Sequence, residues 1–151
     1  MKSTYGFIIY HRGNVVAFGS KKQRIVSLSS TESEFIGITE GVKASIFVRS
    51  ILEFMNNEEQ GAKIEVRNDN VGAIQLLTNS RSGPSRTRHI HRRFLFVRQL
   101  IEENELWTRY IASEELTADM MTKSLGRHQL LIHRRRVVKS KDRERVGVGN
   151  P

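Results

Sequence analysis

Cysteine is absent from the 151 residues, which excludes a disulfide framework, a thiolate nucleophile and any cysteine-ligated zinc or iron–sulfur site. Long apolar runs are also absent: nothing approaches the roughly 18 residues of a membrane span, and the short run in MKSTYGFIIYHRG lacks a signal-peptide cleavage pattern. The expectation is a soluble, intracellular protein without a membrane partner, in cytoplasm or nucleus alike. Acidic residues are missing from the whole N-terminal stretch, the first being Glu32. No internal repeat recurs at a fixed period.

What is present suffices for one domain with or without a tail. Hydrophobic residues make up 38% of the chain, charged residues 27%, and seven are Phe, enough apolar material for a core at this length. The net charge of +9 is unevenly spread: residues 1–125 carry +3 and residues 126–151 carry +6. Most of the excess that would attract a polyanion therefore sits at the C-terminal end.

Residues 5–10 (YGFIIY) and 14–18 (NVVAF) read as a β-hairpin turned at Gly13-Asn14. After IVSLS at 25–29, Thr31 and Glu34 have capping-box spacing, and Ala44, Phe47, Val48, Ile51, Leu52 and Met55 form an apolar stripe of helical period. Both predict one long amphipathic helix over about 31–56. A short strand follows in KIEVRND, ending at Asn68-Asp69, then a short helix over 70–78 and a loop at 79–85. Ile90, Phe94, Val97 and Ile101 predict a second long helix over about 86–104, with Arg86, Arg88, Arg92 and Arg93 largely off that stripe. ELWTRYI at 105–111 alternates as a strand, and Ser113 is placed to cap a final helix opening with Glu114 and Glu115. From Gly126 the apolar period fades. The element order predicts an α/β fold with a mixed sheet covered by helices.

Three carboxylates stand at or near element ends: Glu34 opening the first long helix, Asp69 at a strand end, and Asp119 in the short C-terminal helix. Acids from distant parts of a chain can converge on hard divalent cations, which take oxygen ligands and support phosphoryl chemistry. Each also has an ordinary explanation: Glu34 as the capping-box acid, Asp69 as the cap of helix 70–78, Asp119 as a solvated charge.

Four blocks add a resemblance. SKKQRIVSLSSTESEFIGITEGVKASIFVRSIL at 20–52, VRNDNVGAIQLLTN at 66–79, SRTRHIHRRFLFVRQLIEENEL at 85–106 and YIASEELTADMMTKSL at 110–125 resemble, in order, the ribonuclease H region of copia-type LTR retrotransposon Pol polyproteins. The match runs from about Lys2 to Arg127. It implies a ribonuclease H-like fold, a mixed central sheet with helices on both faces, in which acidic residues hold two Mg²⁺ ions, or Mn²⁺, at an RNA–DNA hybrid. Glu34 in TESEF, Asp69 in RNDN and Asp119 in LTADMMTK match the family's acids and are the expected catalytic metal ligands. His89 matches the family's motif, and with Arg86, Arg88, Arg92 and Arg93 is a candidate for nucleic-acid contact. Partners implied are the hybrid and the reverse transcriptase portion of the same polyprotein.

The same resemblance marks departures. The family's fourth acid, an aspartate on the first strand, lies upstream of the segment matching KSTYGFIIY, and no Asp or Glu before Glu32 replaces it. His91 stands where the family has an aspartate, and Leu95 where it has a histidine. The expectation is a domain over 1–127 lacking its first strand, with a split sheet, an incomplete two-metal site and little or no nuclease activity, followed by a flexible basic tail over 128–151. The rival expectations are a noncatalytic nucleic-acid-binding protein using the tail and the arginine-rich helix, and a decayed remnant without function.

Overall fold

The computed structural model describes residues 3–23, 30–55, 60–78 and 88–138. β1 (Thr4–His11) and β2 (Asn14–Lys22) form an antiparallel hairpin, with Tyr5 opposite Lys21 and a bulge between Ile9 and Tyr10. The turn is Arg12-Gly13 instead of Gly13-Asn14. Both residues have positive φ, 48° and 76°, the conformation whose twist matches that of paired strands, and glycine adopts it without a Cβ clash. β2 runs four residues further than the apolar pattern suggested. The segment IVSLS lies outside the described residues.

α1 (Ser30–Met55) follows, then β3 (Ile64–Asn68), α2 (Val71–Thr78), α3 (Arg88–Glu102) and β4 (Leu106–Tyr110). β3 and β4 pair in parallel, Ile64 opposite Leu106 and Asn68 opposite Tyr110, because the helices between them carry the chain back to the same end. α3 stops where Asn104 turns left-handed at φ 59°, with Asn104 N–H donating to Ile101 O at 3.0 Å and Glu105 N–H to Leu100 O at 2.9 Å. That pair of bonds satisfies carbonyls the helix end would leave open.

The core is one cluster: Phe35, Ile38 and Val42 of α1, Ala73 and Leu77 of α2, Phe94, Val97 and Leu100 of α3, and Leu106 of β4. α1 turns a different side to β1. A Cβ at Gly37 would lie 3.3 Å from that of Tyr5, and one at Gly41 would lie 3.4 Å from that of Phe7, so glycines one turn apart let helix and strand approach.

The expected single central sheet is not formed among the described residues. There are two two-stranded sheets, β1–β2 and β3–β4, as the expectation of a split sheet had it. A cleft of about 780 Å³ lined by β1, β3 and one side of α1 lies between them. The molecule is thus a mixed α/β structure with small sheets bridged by α1.

Three further expectations are corrected. Ser30 is already helical, which puts Thr31 and Glu34 inside α1 and not in a capping box at its start. The final helix is replaced by two short 3₁₀ turns, Ser113–Glu115 and Thr117–Met121, with no side-chain cap. Regular structure also does not end at Gly126. Arg127–Val137 forms a further helix, α4, that buries His133 and is anchored by Arg136 Nη1 donating to the carbonyls of Glu114 and Glu115, both at 3.1 Å. The rest of the tail, 139–151, lies outside the described residues. No helix among the described residues is long and apolar enough to cross a membrane.

Candidate metal centre

Glu34 sits in the second turn of α1, Asp69 directly after β3, and Asp119 in the second 3₁₀ turn. That turn is held against the hairpin. Ser20 Oγ donates to Met121 O at 2.6 Å, and Gly6 lies so near Met121 that an added Cβ would meet its side chain at 2.6 Å.

Each acid has its own partner. Asn68 neighbours Glu34 and its side chain opposes the rise of the Glu34 pKa, while its Oδ1 accepts from Asn70 N–H at 2.8 Å. Asp69 Oδ2 accepts from Ser113 Oγ at 2.6 Å. Lys123 Nζ reaches Asp119 Oδ2 at 2.7 Å.

These partners remove the ordinary explanations for two of the acids. Asn70, not Asp69, caps α2, its Oδ1 accepting from Ala73 N–H at 2.9 Å. Glu34, inside α1, is not the acid of a capping box at its start and neighbours Asn68 of β3. Ser113, expected to cap a helix, is diverted to Asp69.

Glu34 feels the charges of the other two acids. Burial is the main force raising the Glu34 carboxyl above its ordinary range; Asn68 opposes it, and the charges of Asp69 and Asp119 add to it against that of Lys123. Lys123 is held protonated above its usual range, first by its bond to Asp119. With all four groups ionised the cluster carries a net charge of about −2 and offers only oxygen donors, the chemistry of a site for a hard dication. The donors fit such an ion in kind and charge. They are not gathered into a finished cage: no group of three His, Cys, Asp or Glu among the described residues is drawn together tightly enough to hold a metal as it stands.

Of the five residues expected to meet nucleic acid, Arg92 is exposed on α3, whereas Arg93 is tied to Glu40 of α1 at 3.0 Å. Arg88 and His89 lie in α3, their side chains outside the described residues, and Arg86 lies outside them altogether. Sequence reasoning missed Asn68, Ser113 and Lys123. Only Lys123 had a visible signal, its spacing four residues beyond Asp119. It also missed His133, 1% exposed, whose ring is held below its ordinary pKa first by burial and then by the charge of Arg136.

Comparison with known proteins gives the class first: the homologues of this chain are retrovirus-related Pol polyproteins from transposons. The chain is 32% identical over 128 residues, 85% of its length, to the polyprotein from transposon TNT 1-94 of Nicotiana tabacum. It is 30% identical over 125 residues to that from transposon RE2 of Arabidopsis thaliana, and 30% over 129 residues to that from RE1 of the same plant, 83% of the chain in both cases. The matched segment spans only 9% of the tobacco polyprotein and 8% of the other two. No protein-family model and no solved structure matches the chain.

Proposed function

We propose that this chain is the ribonuclease H-like segment of such a polyprotein, with Glu34, Asp69 and Asp119 as ligands for Mg²⁺ or Mn²⁺ and the RNA strand of an RNA–DNA hybrid as its ancestral substrate. The observation that carries the reading is that the charges of Asp69 and Asp119, on two other elements, act on Glu34, with Glu34 and Asp119 lining the cleft between the two small sheets and Asp69 freed from capping α2. Collinear homology to transposon Pol polyproteins supports it.

Each residue then has a task. Ser113 orients Asp69 by a hydrogen bond and Asn68 offsets the burial of Glu34, while the hairpin fixes the turn bearing Asp119. A bound dication would supply charge stabilisation at a phosphate and a more acidic water. Three carboxylates fall short of the four positive charges of a metal pair, so this chain by itself is a weak nuclease or an inactive one.

Cleavage of a labelled RNA–DNA hybrid in Mg²⁺ or Mn²⁺ tests this, using the chain, its Asp69→Asn variant and a version extended at the N-terminus by a strand carrying Asp. The expected result is little or no cleavage by the chain and rescue by extension, abolished by Asp69→Asn. Cleavage indifferent to Asp69→Asn in every form would overturn the reading.

A second reading, a noncatalytic nucleic-acid binder, is favoured by the exposed Arg134 and Arg135 on α4 and Arg92 on α3. Its affinity would fall steeply with salt, and affinity that ignores salt would sink it.

A further inference from the structure

Lys123 is the cation that acts on Glu34, and its ammonium is pulled on by all three acids. Its position is set by backbone: Lys123 N–H donates to Asp119 O at 2.9 Å, which brings the side chain back over the carboxylate four residues earlier. The two members of the pair differ in exposure. The Asp119 side chain is 13% exposed and that of Lys123 54%. The ammonium can therefore leave on a wet, flexible stem, whereas the carboxylate cannot follow it out.

We propose that Lys123 is a displaceable internal counter-ion: it holds the Asp119 carboxylate in the cation-free chain, and a divalent cation must evict it to bind. The inference rests on the reading that the three acids form a cation site, and it adds what that site contains beforehand. A resident monovalent charge lowers the attraction of the cluster for any incoming cation and occupies one of its oxygens. It also neutralises part of the repulsion among three carboxylates that have no closed cage. Lys123 is in this sense a positioning residue. Its removal should open the site to metal, whereas removing a purely structural tie would loosen the turn and weaken binding.

The test is calorimetric titration of Mn²⁺ into the full chain and into its Lys123→Met, Lys123→Gln and Lys123→Arg variants, each with a thermal melt to verify folding. Lys123→Met and Lys123→Gln should bind Mn²⁺ roughly tenfold more tightly than the parent, and Lys123→Arg no more tightly. Adding Asp119→Asn to Lys123→Met should remove the gain. Neutral variants that bind no more tightly than the parent, or not at all, overturn the inference. A gain that survives both Asp69→Asn and Glu34→Gln leaves the competition at Asp119 standing and instead overturns the three-acid reading.

Discussion

The two halves of α1 carry the same apolar period and meet different fates. From Phe35 to Val42 the helix buries Phe35, Ile36, Ile38, Thr39 and Val42 against α2, α3 and the hairpin. Beyond it, Phe47 is 66% exposed, Ile51 is exposed, and Phe54 and Met55 are 92% and 76% exposed. Periodicity reports which way a helix could face; a partner at the right height decides whether that face is buried. The cleft between the two sheets receives Ser45, Val48, Arg49 and Leu52 from this second half, on its other side.

The largest effect belongs to the buried half. Phe94 packs on Phe35 with ring centroids 6.0 Å apart, and Phe94→Ala should cost about 3–5 kcal/mol, most of what a small domain has. Urea unfolding would show a midpoint near zero or no transition. If the variant melts like the parent, the core is not where the contrast places it.

Next comes the tie that holds the exposed half. Arg49 Nη2 bonds Glu105 at 2.6 Å and its Nη1 donates to Ala62 O at 3.3 Å. Because Glu105 is partly in water, Arg49→Met should cost about 1 kcal/mol. The loss should shrink in high salt, and a salt-independent loss would assign it to packing.

Glu34, near the buried end of α1, sets a pH slope. Its carboxyl is raised above the ordinary 4.5 mainly by burial, so the folded chain binds that proton more tightly than the unfolded one. The stability it contributes is full below about pH 4.5 and is lost as pH rises through the raised value. Partial solvation keeps the term under about 1 kcal/mol. Glu34→Gln should flatten this part of a stability-against-pH curve and be no less stable than the parent at neutral pH; a less stable variant would mean the charge itself is needed. The smallest effect is that of Phe54→Ser, within about 0.5 kcal/mol, with self-association reduced in light scattering.

Legibility follows the same division. The hairpin, both long helices and the strands at 64–68 and 106–110 were readable because they rest on local period and turn chemistry. The stripe in α1 is legible as helix, but the exposure of Phe47, Ile51 and Met55 is not, since it depends on elements far away in sequence. Ser113 and Asn70 show the limit for caps. Both residue types suit the role, and only the proximity of Asp69 to Ser113 decides that one caps and the other does not. The acids themselves were found by resemblance and position. Their partners Asn68, Ser113 and Lys123 belong to contacts that no spacing rule writes down, except Lys123. The helix at Arg127–Val137 was obscured by its basic composition, which hid the buried His133.

The two small sheets differ in the length of chain each must close. β1 and β2 are joined by a two-residue turn, whereas β3 and β4 are separated by two helices. Loop closure makes the first a microsecond event and the second dependent on prior assembly of α2 and α3. The hairpin therefore closes early but needs its docking through Gly37, Gly41 and Met121, a later step, to persist. The turn bearing Asp119 is seated only when that docking is complete, so the acid cluster is among the last features of the molecule to exist.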